Sequence, residues 1–265
     1  MIPARKRWGQ HFLIRPETAR RIVEASGVGP GDTAFEVGPG EGALARPLAE
    51  RAGRLLAVEI DPLRAEALER ELTGRENVRV FRGDVLDKGF ADWLAEAGWE
   101  PPAILVANLP YNIATHVLTR AIEEAGTFTR ILATVQKEVA RRFAAVSGSD
   151  DYGYLSVRTA AYARARVLFD LQPGAFRPPP KVTSSVLELV PREAPFEPAA
   201  RDRALRFASL AFRFRRKTLV NALSSAADRS QVARALEDIG RGARARAEEL
   251  SLDDYLRLAA RVEAA

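Results

Sequence analysis

The sequence predicts an α/β protein: an open, doubly wound, Rossmann-like sheet with a hairpin at its edge, plus a small all-α C-terminal domain. Three observations carry this. Apolar β-type runs alternate with helix-period segments through the first two thirds of the 265 residues, the pattern of parallel strands joined by right-handed crossovers. A glycine-rich turn, "VGPGEG" (37–42), separates the first strand-helix pair. From about residue 199 onward the alternation stops and helix formers dominate.

Strands are expected at "TAFEVG" (33–38), "RLLAVEI" (54–60), "NVRVFRG" (77–83), "AILVAN" (103–108) and "RILATV" (130–135). Helical patterns such as "PLRAEALEREL" (62–72) and "ATHVLTRAIEEA" (114–125) lie between them. Two later strands, 165–171 and 181–190, flank a Gly/Pro-rich connection with no long helix, so a hairpin added at the sheet edge is expected. The Pro-rich stretch "PREAPFEP" then precedes helical segments at 199–214, 215–226, 229–240 and 251–264. That change of pattern divides the chain into domains 1–192 and 193–265.

Apolar residues make up 47% and charged residues 28%, as in an ordinary globular chain. No apolar run approaches the roughly 18 residues of a membrane span, and "MIPARKRWGQHFL" is basic without the apolar core of a signal peptide. A cytoplasmic protein with no membrane contact is expected, and a monomer, since no strong unpaired apolar face stands out. Cysteine is absent and the two histidines, His11 and His116, lie far apart, so no metal centre is expected. The net charge of +5 is uneven: residues 1–22 hold six Lys/Arg against one Glu, and residues 141–225 hold fifteen against seven acids. Two basic regions on an otherwise acidic chain point to a polyanion-binding face. Its candidate phosphate contacts are Arg141, Arg142, Arg158, Arg164, Arg166 and the run "RFRRK", with Arg213, Arg215, Arg216 and Lys217. With thirty-five arginines to five lysines, the alternative that arginine simply serves as the surface cation stays open.

The glycine turn suggests a ligand. Gly38, Gly40 and Gly42 allow a sharp turn and close backbone approach, but their G-x-G-x-G spacing differs from the G-x-G-x-x-G of dinucleotide sites. Glu36 before the turn and Glu41 inside it are poor neighbours for a diphosphate and good ones for an ammonium and a sulfonium. Glu59, ending the second strand, stands where an acid binds ribose hydroxyls. Asp84, in "RGDVL", is placed to accept from an adenine amine. A strand-end acid is often only a helix cap; three of them around one glycine turn describe S-adenosylmethionine.

The segments "GQHFL" (9–13), "EVGPGEGAL" (36–44), "GDVL" (83–86), "NLPYNIAT" (108–115), "QKEVARRF" (136–143), "YGYLSV" (152–157), "FRPPPKVTSS" (176–185), "FRRKTLVNAL" (214–223) and "RAEELSLDDY" (246–255) resemble the KsgA-type rRNA adenine dimethyltransferases. These belong to the larger group that includes the Erm methyltransferases, and the last two segments favour the KsgA branch. The resemblance implies a methyltransferase sheet and S-adenosylmethionine as cofactor. It further implies dimethylation of the 6-amino groups of two adjacent adenines in the 3′-terminal hairpin of 16S rRNA, within an immature 30S subunit. In the family Asn108 offers its amide oxygen and Leu109 its carbonyl to the amine, Pro110 holds the turn, and Tyr111 stacks on the base. Phe176 would close over the flipped base opposite Tyr111. His11 and Leu13 would lie across the cofactor beside Asn108, with Asn common at the His11 position in relatives. An adenine amine needs its lone pair turned toward the methyl carbon rather than a base to deprotonate it, so orientation carries the catalysis. The rival readings are an Erm-like enzyme acting on 23S rRNA and a non-catalytic ribosome-assembly factor on the same fold.

Overall fold

The computed structural model describes residues 9–192 and 196–262. The basic Arg5, Lys6 and Arg7 and part of the expected linker lie outside them. In chain order the strands are β1 (Phe12–Leu13), β2 (Thr33–Val37), β3 (Arg54–Glu59), β4 (Val78–Arg82), β5 (Ala103–Asn108), β6 (Phe128–Gln136), β7 (Ala163–Leu171), β8 (Phe176–Arg177) and β9 (Ser184–Pro191). Seven form one sheet in the order β4-β3-β2-β5-β6-β9-β7. The pairings from β4 through to β6 are parallel, and β9 joins β6 antiparallel. The late pair of strands therefore closes the edge as expected.

Burial explains why these runs are strands. All five residues of β2 are buried, as are the first five of β5, because helices cover both faces of a parallel sheet. The crossover helices start and stop on local signals. α1 (Pro16–Ser26) has proline at its first position and left-handed Gly27, φ 72°, after its last. α2 spans Ala45–Arg51. In α3 (Pro62–Glu71) the Asp61 carboxylate caps the Leu63 N–H at 3.1 Å. α4 (Phe90–Glu96) and α5 (Ala114–Glu123) complete the crossovers. On one side of the sheet Phe35, Phe90 and Phe128 meet edge to face, with centroids 5.1–5.8 Å apart.

The strand order reverses between β2 and β5. Crossovers leave these neighbours in opposite directions, and a crevice opens at their carboxyl ends, where open α/β sheets bind ligands. The short β1 pairs with β8, Phe12 opposite Arg177 and Leu13 opposite Phe176. Two residues are too few for alternation to signal, and sequence reasoning missed both strands.

The chain divides into two units, Met1–Ala140 with Ala165–Pro191, and Arg141–Arg164 with Arg192–Ala265. This differs from the sequence-based division at 192/193 in placing 141–164 with the C-terminal helices. The physical reason is one apolar cluster. Tyr152, Val157 and Ala161 pack with Ala204, Phe207, Leu219 and Tyr255, and the Tyr152 hydroxyl donates to the Leu250 carbonyl at 2.8 Å. α6 (Lys137–Ala144) and α7 (Tyr154–Tyr162) precede β7, and α8 (Pro198–Arg213), α9 (Leu219–Ala222), α10 (Arg229–Asp238) and α11 (Leu252–Arg261) follow the sheet. The helix expected over 215–226 is reduced to the four residues of α9. Four cations within residues 213–217 repel one another along any helix, and Thr218 caps α9 from an extended backbone, ψ 155°.

Candidate active site

At the carboxyl ends of β2, β3 and β5 lies a cavity of about 250 Å³ lined by Gln10, His11, Phe12, Gly38, Gly40, Glu59, Ile60, Asp84, Asn108, Leu109 and Pro110, among others. The sequence-predicted Gly38, Gly40, Glu59, Asp84, Asn108, Leu109, Pro110 and His11 thus converge. Leu13, Tyr111 and Phe176 are not among its walls.

The glycine turn is built by backbone geometry. Gly38, Gly40 and Gly42 have φ of 65°, 57° and 75°, a left-handed backbone that costs other residues about 1–2 kcal/mol. The two ligand-facing glycines differ. A Cβ on Gly38 would come no nearer than 3.8 Å to Pro110, whereas one on Gly40 would stand 2.7 Å from the Phe12 ring. The space freed at Gly40 is therefore filled by Phe12. Arg64, 2% exposed, backs that ring, its guanidinium 4.1 Å from the centroid. Phe12 is one of the wall residues that sequence reasoning overlooked, though a large ring beside a glycine is the complementarity that would have pointed to it.

Glu59 is 3% exposed, and its oxygens accept from the N–H groups of Gly40 and Asp61, both at 2.9 Å. It locks the glycine turn to the end of β3, and burial pushes its carboxyl up despite these two bonds. Each oxygen keeps a second lone pair, so a ribose diol can still be held. The Oδ1 of Asp84 accepts from Leu86 N–H at 3.0 Å, a strand-end cap that leaves Oδ2 to a ligand. Glu36 is buried, with one oxygen lacking a hydrogen bond. It borders a smaller space of about 20 Å³ shared with Phe12, Gly38 and Asn108. Burial, with Glu59 beside it, pushes the Glu36 carboxyl well above the ordinary carboxylate range. Glu41 departs from its expected role, pairing instead with Arg64 at 3.6 Å and Arg177 at 3.2 Å.

Asn108 ends β5, and the Leu109 N–H continues the ladder to the Thr134 carbonyl at 3.2 Å. The Asn108 Nδ2 donates to the His11 carbonyl at 2.8 Å. That bond fixes the amide and leaves Oδ1 as the acceptor. The Pro110 carbonyl accepts from Ile113 and Ala114 at 3.1 Å, so the turn leads directly into α5. Tyr111 donates or accepts at Ser184 Oγ, 2.6 Å away, and its ring stacks on His11, with centroids 5.1 Å apart and planes at 26°. His11 Nδ1 in turn meets the Pro178 carbonyl at 2.7 Å. Segment 10–13 thus straps the site, positioning Asn108 through a carbonyl and Tyr111 through a ring.

Phe176 is placed elsewhere than expected, whereas Leu13 packs in the core and also borders the smaller space beside Glu36 and Asn108. Phe176 is 2% exposed and Leu13 is 4% exposed, both within the apolar core under the strap. Paired across β1 and β8, they anchor the strap; burying two large apolar side chains is worth about 1.5–3 kcal/mol each. The ring lying on Tyr111 is that of His11.

The cavity fits S-adenosylmethionine. Carboxylates Glu59 and Asp84 stand with apolar Val58, Ile60 and Val85, and among the described residues no lysine or arginine lines it to receive a phosphate. Of the expected RNA contacts, those at 141–164 and 213–217 belong to the other unit, and Arg166 belongs to this one. Arg141 and Arg142 are exposed on α6, Arg213 is exposed at the end of α8, and Arg215, Arg216 and Lys217 are exposed after it. Arg166 is instead paired with the buried Glu188, which also meets Arg130 at 3.3 Å.

Comparison with known proteins agrees with this geometry. A family model described as ribosomal RNA adenine dimethylase matches residues 1–264. The chain is 41% identical over 254 residues to the ribosomal RNA small subunit methyltransferase A of Methylococcus capsulatus, covering 96% of each. It is 42% identical to the protein of that name from Rubrobacter xylanophilus, covering 97% of this chain and 95% of the relative. Among solved structures, the 23S rRNA methyltransferase ErmE superposes with TM-score 0.74 at 30% identity, over 95% of this chain and 99% of its own. A dimethyladenosine transferase from Plasmodium falciparum shares the fold with TM-score 0.79 at 22% identity, over 94% and 96%.

Proposed function

Since the chain belongs to the ribosomal RNA adenine dimethylase family, we propose that its cleft dimethylates the 6-amino groups of adenines in small-subunit rRNA, using S-adenosylmethionine. The observation that carries this reading is the Asn108 amide at the sheet's switch point, its nitrogen held by the His11 carbonyl so that its oxygen is available to an amine. When bound, the cofactor supplies a methyl group made electrophilic by the attached sulfonium.

The protein's own groups do the positioning. Asn108 Oδ1 and the Leu109 carbonyl accept the two N–H bonds of the amine and turn its lone pair out of conjugation with the ring. A neutral amide does this without placing a carboxylate beside the sulfonium, where it would favour the ground state as much as the transition state. Tyr111, held through its hydroxyl by Ser184, offers a ring for the base. His11 already lies against that ring, so the base takes the other face or displaces the imidazole. Burial pushes the Tyr111 phenol above its ordinary value, which keeps it neutral. The target base has to leave its stack to reach such a cleft. Glu59 and Asp84 would hold the ribose and adenine of the cofactor, and Glu36 its cationic end.

The finer reading is that two adjacent adenines of the 3′-terminal hairpin of 16S rRNA are modified in an immature 30S subunit, in the cytoplasm, by a monomer. The exposed arginines at 141, 142, 213, 215 and 216 and Lys217 would bind phosphates, giving affinity without sequence information. The test is methylation of undermethylated 30S particles and of naked 23S RNA with labelled cofactor, followed by mapping of the modified nucleotides. Label in two neighbouring adenines near the 3′ end of 16S rRNA is the expected result. Preference for naked 23S RNA would assign the chain to the other branch.

A further inference from the structure

The buried stripe of α8 runs through Ala204, Phe207, Ala208 and Ala211, and helical spacing would bring it next to position 214 or 215. Phe214 stands there, but α8 ends at Arg213 and Phe214 takes φ −121° and ψ 49°. Its ring is left 44% exposed, whereas Phe212, two residues earlier, packs edge to face on Tyr152 at 5.9 Å. The Lys217 N–H closes a turn on the Phe214 carbonyl at 2.7 Å, and the Lys217 ammonium lies 4.7 Å from the centre of the Phe214 ring. Arg213, Arg215 and Arg216 are exposed around it. A half-exposed aromatic ring, with the Lys217 ammonium over one face and three arginines around it at the end of α8, matches a ligand with a negative backbone and a flat apolar face.

We propose that Phe214 is a base-stacking residue for an unpaired nucleotide of the RNA whose phosphates the flanking cations bind. This rests on the reading of 213–217 as a phosphate-binding run and assigns to it a preference that cations alone cannot supply. Phosphates are present in duplex and single strand alike, whereas an exposed base face exists only where the strand is unpaired. The surrounding positive charge disfavours a basic or purely apolar protein partner.

The test uses the full chain and two fluorescent RNAs of equal length, an unstructured single strand and a blunt duplex, titrated over a salt series. Phe214→Ala is expected to weaken single-strand binding by about fivefold or more, with duplex affinity and both salt slopes unchanged. Phe214→Leu, which keeps apolar volume without a ring, should behave like Ala, and Phe214→Trp should bind as well as the parent. Equal loss on both RNAs, no loss on either, or full function in the leucine variant would overturn the proposal. Arg216→Glu in the same series separates the two levels. An unchanged salt slope there would remove the phosphate-binding reading itself, whereas a flattened slope with no effect of Phe214→Ala would remove only the stacking. Unaltered melting of each variant establishes that binding, and not folding, is being read.

Discussion

In the cleft at the end of β5 the Asn108 amide has a fixed partner, the His11 carbonyl at 2.8 Å, and Tyr111 has one in Ser184 at 2.6 Å. At and just after the end of α8 four cations stand in solvent, and Arg215 makes only a long hydrogen bond to the Asp150 carbonyl, at 3.5 Å, among the described residues. The contrast follows from what each region is asked to do. Turning an amine lone pair toward a methyl carbon fails if the acceptor rotates, so the acceptor is braced. Attraction of a phosphate backbone falls off gradually with distance and tolerates mobile side chains. Bracing on one side and looseness on the other give different responses to mutation.

The largest effect is expected in the braced region. Asn108→Ala should lower turnover by about 10²–10³-fold, the scale of losing one aimed polar group, while cofactor affinity in equilibrium titration changes far less. A loss confined to KM would mean that Asn108 only binds. Next comes Gly40→Ala, which forces a side chain into a left-handed backbone and sets a Cβ 2.7 Å from Phe12. The backbone alone costs about 1–2 kcal/mol, and displacing Phe12 should also weaken cofactor binding; thermal melting and titration check the two separately. In the loose region, Arg216→Glu should lower the slope of log affinity against log salt by about 1, with cofactor binding intact.

The smallest effect concerns protons. Glu36, raised by burial and by Glu59, is partly protonated at pH values where an exposed carboxylate is fully ionised. In the free protein its ionisation opposes folding, so this group's contribution to stability falls as pH rises from the ordinary carboxylate pKa through the raised one. A bound cation favours the ionised form, so cofactor binding should release a fraction of a proton and tighten with pH over that range. Calorimetry in buffers of different ionisation enthalpy reads this release, and Glu36→Gln should reduce it.

The sheet was legible because its central parallel strands β2, β3 and β5 are largely apolar runs, while the edge strand β4 interleaves Val78, Val80 and Phe81 with arginines. The cleft was legible because Gly38, Glu59, Asp84 and Asn108 all follow such runs directly. What escaped depends on contacts between distant segments. β1 and β8 are two residues each, too short for a period, so nothing local indicated that Leu13 and Phe176 face the core while Phe12 faces the cleft. The grouping of 141–164 with the C-terminal helices depends on Tyr152 reaching Leu250, a pairing across 98 residues. The helix that stops at Arg213 has a continuous apolar pattern, and charge repulsion past its end outweighs that pattern.

The central claim is that a braced, uncharged amide orients the amine and that no group at the cleft removes its proton before attack. The most direct test is the single-turnover rate of methyl transfer at saturating cofactor and RNA, measured between about pH 6 and pH 9, in the parent and in His11→Asn. A flat profile in both is expected. A limb of unit slope in the parent that vanishes in His11→Asn would establish a histidine base and contradict the account.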